Sequence, residues 1–182
     1  KGKPMIQRVY EQASQVFDRT MVATDDERIL NAVHNFGGAA VMTSSAHKSG
    51  TDRCAEALIK AENHFSTAFD VVVNLQGDEP FIQPAQLKLI QACFKDRSVQ
   101  IATLIKPVRN NEELFNTNKP KVIINNKQEA IYFSRSVIPF VRGIDEKEWI
   151  SHHQFYIHIG IYAFTRETLL KITQLETTKL EK

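Results

Sequence analysis

Asp70-Val71-Val72-Val73-Asn74-Leu75 runs directly into Gln76-Gly77-Asp78-Glu79-Pro80, and this junction limits what the chain can fold into. Three consecutive β-branched valines form a short apolar run, which predicts a strand buried on both faces between helical layers. Gly77 permits an abrupt change of direction, and Pro80 disfavours a helical conformation at Glu79, so no helix starts there. Two carboxylates therefore stand at the carboxyl end of a buried strand, the edge at which open α/β sheets bind ligands. Adjacent residues diverge, so one carboxylate is expected to face the crevice and the other, Glu79, to brace the turn. A hard cation such as Mg²⁺ is held by one or two carboxylates together with substrate phosphates. By spacing alone, an acidic turn without chemistry is the competing reading.

The rest of the chain suits one α/β domain. It has 182 residues, enough for a sizeable core. A net charge of +2 argues against an extended polyanion-binding surface, so no nucleic-acid partner is expected and any anion site must be local. Cys54 and Cys93 each fall in a predicted helix without a Cys or His companion, and read as buried free thiols of a reducing compartment. No apolar run is long enough to span a membrane and no leader is seen, which predicts a soluble cytoplasmic protein.

Taken in order, Pro4 opens a helix that carries Ile6, Val9, Tyr10, Ala13 and Val16 on one face. Thr20–Ala23 reads as a strand, and Thr24-Asp25-Asp26-Glu27 as a capping box with Thr24 as N-cap. The next helix stops at Gly37-Gly38, and Ala39–Met42 is a further strand. Ser49-Gly50-Thr51-Asp52-Arg53 opens another helix; its free N–H groups suit an anion or a polar heterocycle edge, or Ser49 is simply its cap. Gln83-Pro84 starts a helix, Ile101–Ile105 is a strand, and Asn111–Phe115 a short helix. Lys121–Ile124 and Ala130–Phe133 form a hairpin around a five-residue loop. Phe155–Phe164 reads as a strand with a bulge or close approach at Gly160, and Thr165 caps a last helix. The tail, Leu175–Lys182, could begin another helix. Alternating strands and helices followed by a hairpin predict a mixed, mostly parallel sheet.

With these residues in place, the chain resembles the nucleotide-sugar cytidylyltransferases, in the branch that acts on 3-deoxy-manno-octulosonate (KDO). The resemblance rests on Gly2-Lys3-Pro4-Met5, Val22-Ala23-Thr24-Asp25-Asp26, Ser49–Arg53, Asn74–Pro80, Tyr132-Phe133-Ser134-Arg135 and His158-Ile159-Gly160-Ile161-Tyr162, in the family's order and across nearly the whole chain. The related sialic-acid enzymes do not end their central strand in Gln-Gly-Asp-Glu-Pro.

The resemblance implies a three-layer, Rossmann-like nucleotide-diphospho-sugar transferase fold in a single domain, residues 1–182. It implies transfer of CMP from CTP to the anomeric hydroxyl of KDO, with Mg²⁺ as cofactor, for lipopolysaccharide synthesis by a homodimer. Carried over by position, Asp78 is the metal ligand and Gln76 a catalytic residue that contacts the sugar. Ser49, Gly50, Thr51 and Arg53 bind the nucleotide; Arg135, His158 and Tyr162 bind the sugar. Taken without the resemblance, Arg135 is an ordinary surface cation and His158 a satisfied core histidine. His34, His47, His64, His152 and His153 stay in that unremarkable group. The family also has a strand and a basic glycine-containing loop ahead of Gly2, and a Leu-Glu-Gln segment and a metal-binding aspartate beyond the tail. These are not matched here, and neither Glu176 nor Glu181 takes the aspartate's place. The 182 residues are thus expected to be part of a longer protein. The alternatives are a sialic-acid cytidylyltransferase and a non-catalytic CTP-binding module.

Overall fold

The computed structural model describes residues 2–176, 178 and 179. Their contacts divide the chain into two compact units, residues 1–102 with 161–182 and residues 103–160.

The first unit begins with helix α1 (Met5–Ser14), strand β1 (Val22–Thr24), helix α2 (Glu27–Asn35) and strand β2 (Ala40–Met42). β1 and β2 pair in parallel, Val22 opposite Ala40 and Thr24 opposite Met42. The helix between them supplies the crossover that parallel strands need. Pro4 is the N-cap of α1 and stands just outside its first turn. The capping box expected at Thr24 is shifted. Asp26 is the N-cap of α2 and accepts from Arg28 N at 2.8 Å, while Thr24 Oγ1 accepts from Asp26 N at 3.1 Å. Asp26 is the better cap because a carboxylate two residues into the turn reaches a free N–H at the positive end of the helix. α2 ends before Gly37, whose φ of +79° is a left-handed conformation open to glycine at little cost.

Helix α3 (Gly50–Phe65), strand β3 (Val71–Asn74) and helix α4 (Pro84–Cys93) follow. β3 is the valine run, and it pairs antiparallel with the carboxyl half of strand β7 (Tyr156–Thr165), Val71 opposite Thr165 and Asn74 opposite Tyr162. Its four residues are half-buried, not buried on both faces as the run alone predicts. The difference is a cavity of about 650 Å³ that reaches all four of them. Helix α7 (Arg166–Ile172) is capped by Thr165, as expected, and packs Leu169 with Phe164, Ala55 and Leu58 into one core cluster. Burying each such side chain contributes on the order of 1.5–3 kcal/mol. A fork–fork pair between Arg166 and Glu62, at 2.8 and 3.0 Å, joins α7 to α3. α7 ends at Ile172 and no helix covers Leu175 or Glu176; residues 177 and 180–182 of the tail lie outside the described residues. Cys54 is half-buried, but Cys93 is exposed, because the last turn of α4 carries it away from the Leu87 and Ile90 face.

The second unit takes over within strand β4 (Ile101–Pro107). It contains helix α5 (Asn111–Phe115), the hairpin of β5 (Lys121–Ile124) and β6 (Ala130–Ser134), a 3₁₀ turn at Glu146–Glu148, helix α6 (Trp149–His152) and the amino half of β7. The expected hairpin forms, with Lys121 opposite Ser134 and an irregularity at Ile123/Ile124. Asn125 holds its loop by accepting from Lys127 N and Glu129 N, both at 2.9 Å. β5 also pairs antiparallel with β7, Lys121 opposite Ile157. Trp149 anchors this unit: it is buried with Val108, Leu114, Phe155 and Ile157, and its indole N–H donates to Ile144 O at 3.0 Å. β7 runs unbroken through Gly160, where the boundary between the units falls. Parallel pairing is found in the two-stranded sheet of β1 and β2, whereas the pairs β3–β7, β5–β6 and β5–β7 belong to a second sheet and are antiparallel. The sequence pattern predicts one mixed, mostly parallel sheet; the hairpin and the long returning strand β7 supply the antiparallel partners.

Candidate active site

Gln76, Gly77, Asp78 and Glu79 form an exposed turn at the carboxyl end of β3. Glu79 N donates to Gln76 O at 3.3 Å, and Ile82 N donates to Glu79 O at 3.2 Å, so the bracing attributed to Glu79 is done by its backbone. The buried side chain of Ile82 pins the far end of the turn. A Cβ at position 77 would lie 3.2 Å from Ile6 Cδ1, which is why the smallest residue sits where the turn crosses α1. Asp78 has neither an ion pair nor a hydrogen bond among the described residues.

The start of α3 lies beside this strand end. A Cβ on Gly50 would stand 3.7 Å from Asn74 Nδ2, so the helix approaches β3 through its glycine. Ser49 is the N-cap, accepting from Asp52 N at 3.1 Å and donating to Asp52 Oδ2 at 2.8 Å. Gly50 is in the first turn, with Thr51 behind it. Arg53 donates to Thr43 Oγ1 at 2.6 Å and to Asp25 Oδ2 at 2.9 Å, fastening α3 to the segments that leave β1 and β2. Thr43 is buried and passes the link on to Thr24 O at 3.2 Å. Gly50, Arg53, Asn74, Gln76 and Gly77 all line the 650 Å³ cavity, which β1 and α1 close on the other side. Three of the seven first-unit candidates, Gly50, Arg53 and Gln76, thus share one cavity. Tyr162 stands opposite Asn74 on β7, half-buried and stacked on Phe164 at 6.1 Å, and burial raises its phenol pKa.

Glu56 is a residue that sequence reasoning passed over. One oxygen accepts from Ser44 N at 2.9 Å and also meets His47 Nε2; the other pairs with Lys60 at 2.7 Å. Lys60 first, then Ser44 and His47, hold its pKa down at about 2. Glu56 thereby shapes the loop that delivers Ser49 to the cavity edge. A lone glutamate on a helix face carries no sign of this in sequence.

In the second unit, His158 is half-buried. Its Nε2 lies 2.7 Å from Thr103 Oγ1, its ring meets Phe133 edge-on at 4.9 Å, and its backbone N–H donates to Pro120 O at 2.8 Å. Burial lowers its pKa and favours the neutral imidazole. The satisfied-core reading of His158 is therefore partly right, because the ring is oriented by a hydroxyl before any ligand arrives. Arg135 is exposed just beyond β6 and donates through Nη1 to Thr117 O at 3.1 Å, not to a carboxylate.

Among the described residues no three His, Cys, Asp or Glu side chains converge as a metal cage. The donor set is the two exposed carboxylates of Asp78 and Glu79 at a strand end, neither of which is engaged by a described residue. That fits a cation held by one or two protein carboxylates and completed by substrate phosphates, the usual manner for Mg²⁺. No helix among the described residues is long and apolar enough to cross a membrane.

An α/β unit whose strand end, helix start and cavity converge in this way has the layout of a nucleotide-binding fold. Residues 1–182 match the cytidylyltransferase family throughout. Proteins named 3-deoxy-manno-octulosonate cytidylyltransferase from Parabacteroides distasonis and Bacteroides thetaiotaomicron are each 55% identical, over 99% of this chain and 72% of their own length. A solved CMP:2-keto-3-deoxy-manno-octonic acid synthetase complexed with CTP superposes with a TM-score of 0.86 at 39% identity, covering 99% of this chain and 70% of that one. A 4-diphosphocytidyl-2C-methyl-D-erythritol synthase from Anaerococcus prevotii shares the fold alone, at a TM-score of 0.58 and 12% identity over 97% of this chain and 68% of its own. The chain belongs to the 3-deoxy-manno-octulosonate cytidylyltransferase family.

Proposed function

We propose that this protein transfers CMP from CTP to the anomeric hydroxyl of KDO, releasing pyrophosphate, as a step in lipopolysaccharide synthesis. The observation that carries the reading is the 55% identity, over 99% of this chain, to proteins named for this activity. The CTP complex of the superposable synthetase supports CTP as the nucleotide. The same names favour KDO over a sialic acid.

In this reading the start of α3 receives the cytidine: Ser49, Gly50 and Thr51 offer backbone donors, and Arg53 stands rigidly behind them. Gln76 contacts the sugar from the β3 turn. His158, neutral and oriented by Thr103, accepts or donates a hydrogen bond to a sugar hydroxyl. Arg135 receives the carboxylate through the free edge of its guanidinium, whose fork geometry matches a carboxylate. Tyr162 lines the sugar side. Asp78 would hold Mg²⁺, which when bound neutralises charge on the leaving pyrophosphate. The protein's own contribution is mostly positioning, because in-line displacement at phosphorus needs aligned reactants more than covalent help. A cytoplasmic homodimer is the working form we expect.

The test is pyrophosphate release from CTP with Mg²⁺, with KDO, a sialic acid or a neutral sugar phosphate offered as acceptor. Release with KDO alone is the expected result. Release with sialic acid instead would change the assigned sugar, and CTP binding without release under any condition would leave a binding module.

A further inference from the structure

Lys121 is the only lysine or arginine among the described buried residues. It is fully enclosed at the start of β5, between Ser134 and Ile157 of the flanking strands. Its Nζ donates to Asn116 O at 2.9 Å and to Lys119 O at 2.8 Å. Arg135 donates to Thr117 O, in the same turn, at 3.1 Å. Asn116 tightens that turn further, accepting from Asn118 N at its side chain and from Lys119 N at its carbonyl. Two cations thus grip one four-residue turn, and among the described residues neither has a carboxylate within 4.0 Å. The neighbouring Lys119 and Lys106 do have one, both bound to Glu113.

A buried charge without a counter-ion is costly, and an apolar side chain of similar volume would serve packing better. Burial, and then the charge of Arg135, push the Lys121 pKa down, as expected of a cation that lacks an anion. The arrangement makes sense if the anion comes with the substrate. We propose that Lys121 is a positioning residue for the sugar carboxylate. It is a second, buried cation that anchors the Asn116–Lys119 turn behind Arg135 and supplies counter-charge to the carboxylate that Arg135 receives. The proposal rests on the reading of Arg135 as the carboxylate ligand. Lys121 does not touch the substrate; it acts through its field, which burial leaves poorly screened.

Three single variants of the full-length protein test this, with KM measured separately for KDO and CTP. Arg135→Gln tests the underlying reading: an unchanged KM for KDO would remove Arg135 as the carboxylate ligand. Lys121→Gln keeps a donor for the turn and removes the charge, whereas Lys121→Met removes both. The expected result is a roughly tenfold rise in the KM for KDO in both Lys121 variants, with the KM for CTP within twofold of wild type. Binding of the KDO methyl ester, which lacks the charge, should be the same in wild type and Lys121→Gln. If Arg135→Gln weakens KDO binding and Lys121→Gln does not, the proposal fails and the reading of Arg135 stands. Equal rises in both KM values, or equal loss of ester and acid binding, would also overturn it, leaving Lys121 a structural anchor.

Discussion

Asp78→Asn separates chemistry from fold more cleanly than any other change at this site. The carboxylate is exposed on the turn after β3, and no described side chain or backbone group bonds to it. Replacing it by an isosteric amide should shift stability by no more than about 0.5 kcal/mol, the usual range for an unengaged surface position. For a domain of this size that is a Tm change of at most about 2 °C. The effect on turnover should be of a different order. Removing one fixed charge aimed at a transition state costs about 3–4 kcal/mol, or a 10²- to 10³-fold fall in kcat. The assay is pyrophosphate release at saturating CTP and KDO across a Mg²⁺ titration, with calorimetry on the same samples. Glu79→Gln is the companion variant, and should stay within a fewfold of wild type because the turn relies on the Glu79 backbone. Turnover of Asp78→Asn within twofold of wild type at every Mg²⁺ concentration would refute the assignment. A Tm loss above 5 °C would instead show that the turn depends on this carboxylate.

Other expectations follow from particular contacts. Arg53→Lys should raise the KM for CTP and lower Tm by a few degrees, because one ammonium cannot serve both Thr43 Oγ1 and Asp25 Oδ2; Asp25→Asn should lower Tm slightly and leave the KM for CTP alone. Glu113, whose pKa Lys106 and Lys119 hold at about 2, contributes stability that is complete above its ordinary value near 4.5 and is lost as pH falls toward 2. Acid unfolding monitored by circular dichroism should therefore be less steep in Glu113→Gln than in wild type. A thiol reagent at pH 8 should modify the exposed Cys93 and spare Cys54, whose pKa burial raises to about 11, until denaturant is added. Mass spectrometry of the singly labelled peptide distinguishes the two.

Local chemistry made much of this molecule readable. The valine run, the Gln83-Pro84 helix start and the five-residue hairpin loop are each encoded within about ten residues, and each lies where its pattern puts it. Errors arose where the outcome depended on distant neighbours. Thr24 and Asp26 are both acceptable caps, and only the path of the chain out of β1 selects Asp26. The half-burial of β3 depends on a cavity bordered by α3, β1 and α1, elements that end 6, 47 and 57 residues before it in the chain. Within the candidate site, the Ser49–Arg53 motif was visible as a helix start, but Glu56 and Lys121 were not. Their importance lies in which backbone groups they hold, and a glutamate on a helix or a lysine entering a strand gives no local sign of that.

β7 is shared by two units, the first of which is built from two stretches separated in sequence by the second, and this bears on how the chain is made. Within the second unit, Thr103 Oγ1 donates to Ile159 O at 3.2 Å, and Val108 N donates to Phe155 O at 2.9 Å, so the two ends of the 103–160 segment are fastened together. β3 waits for a partner some ninety residues downstream. If the inserted segment folds first, that wait shortens: its closure brings the chain at 161 back near 102 before β3 must pair. The entropy of closing a loop of that length is roughly 3–4 kcal/mol and is then met by the contacts of the insert itself. Synthesis from the amino end would have the hairpin and the Trp149 core complete before Ile161–Thr165 and α7 leave the ribosome. The last strand and helix would then act as the latch that finishes the first unit, and lesions in the Trp149 core should surface as slow maturation of a unit they do not belong to.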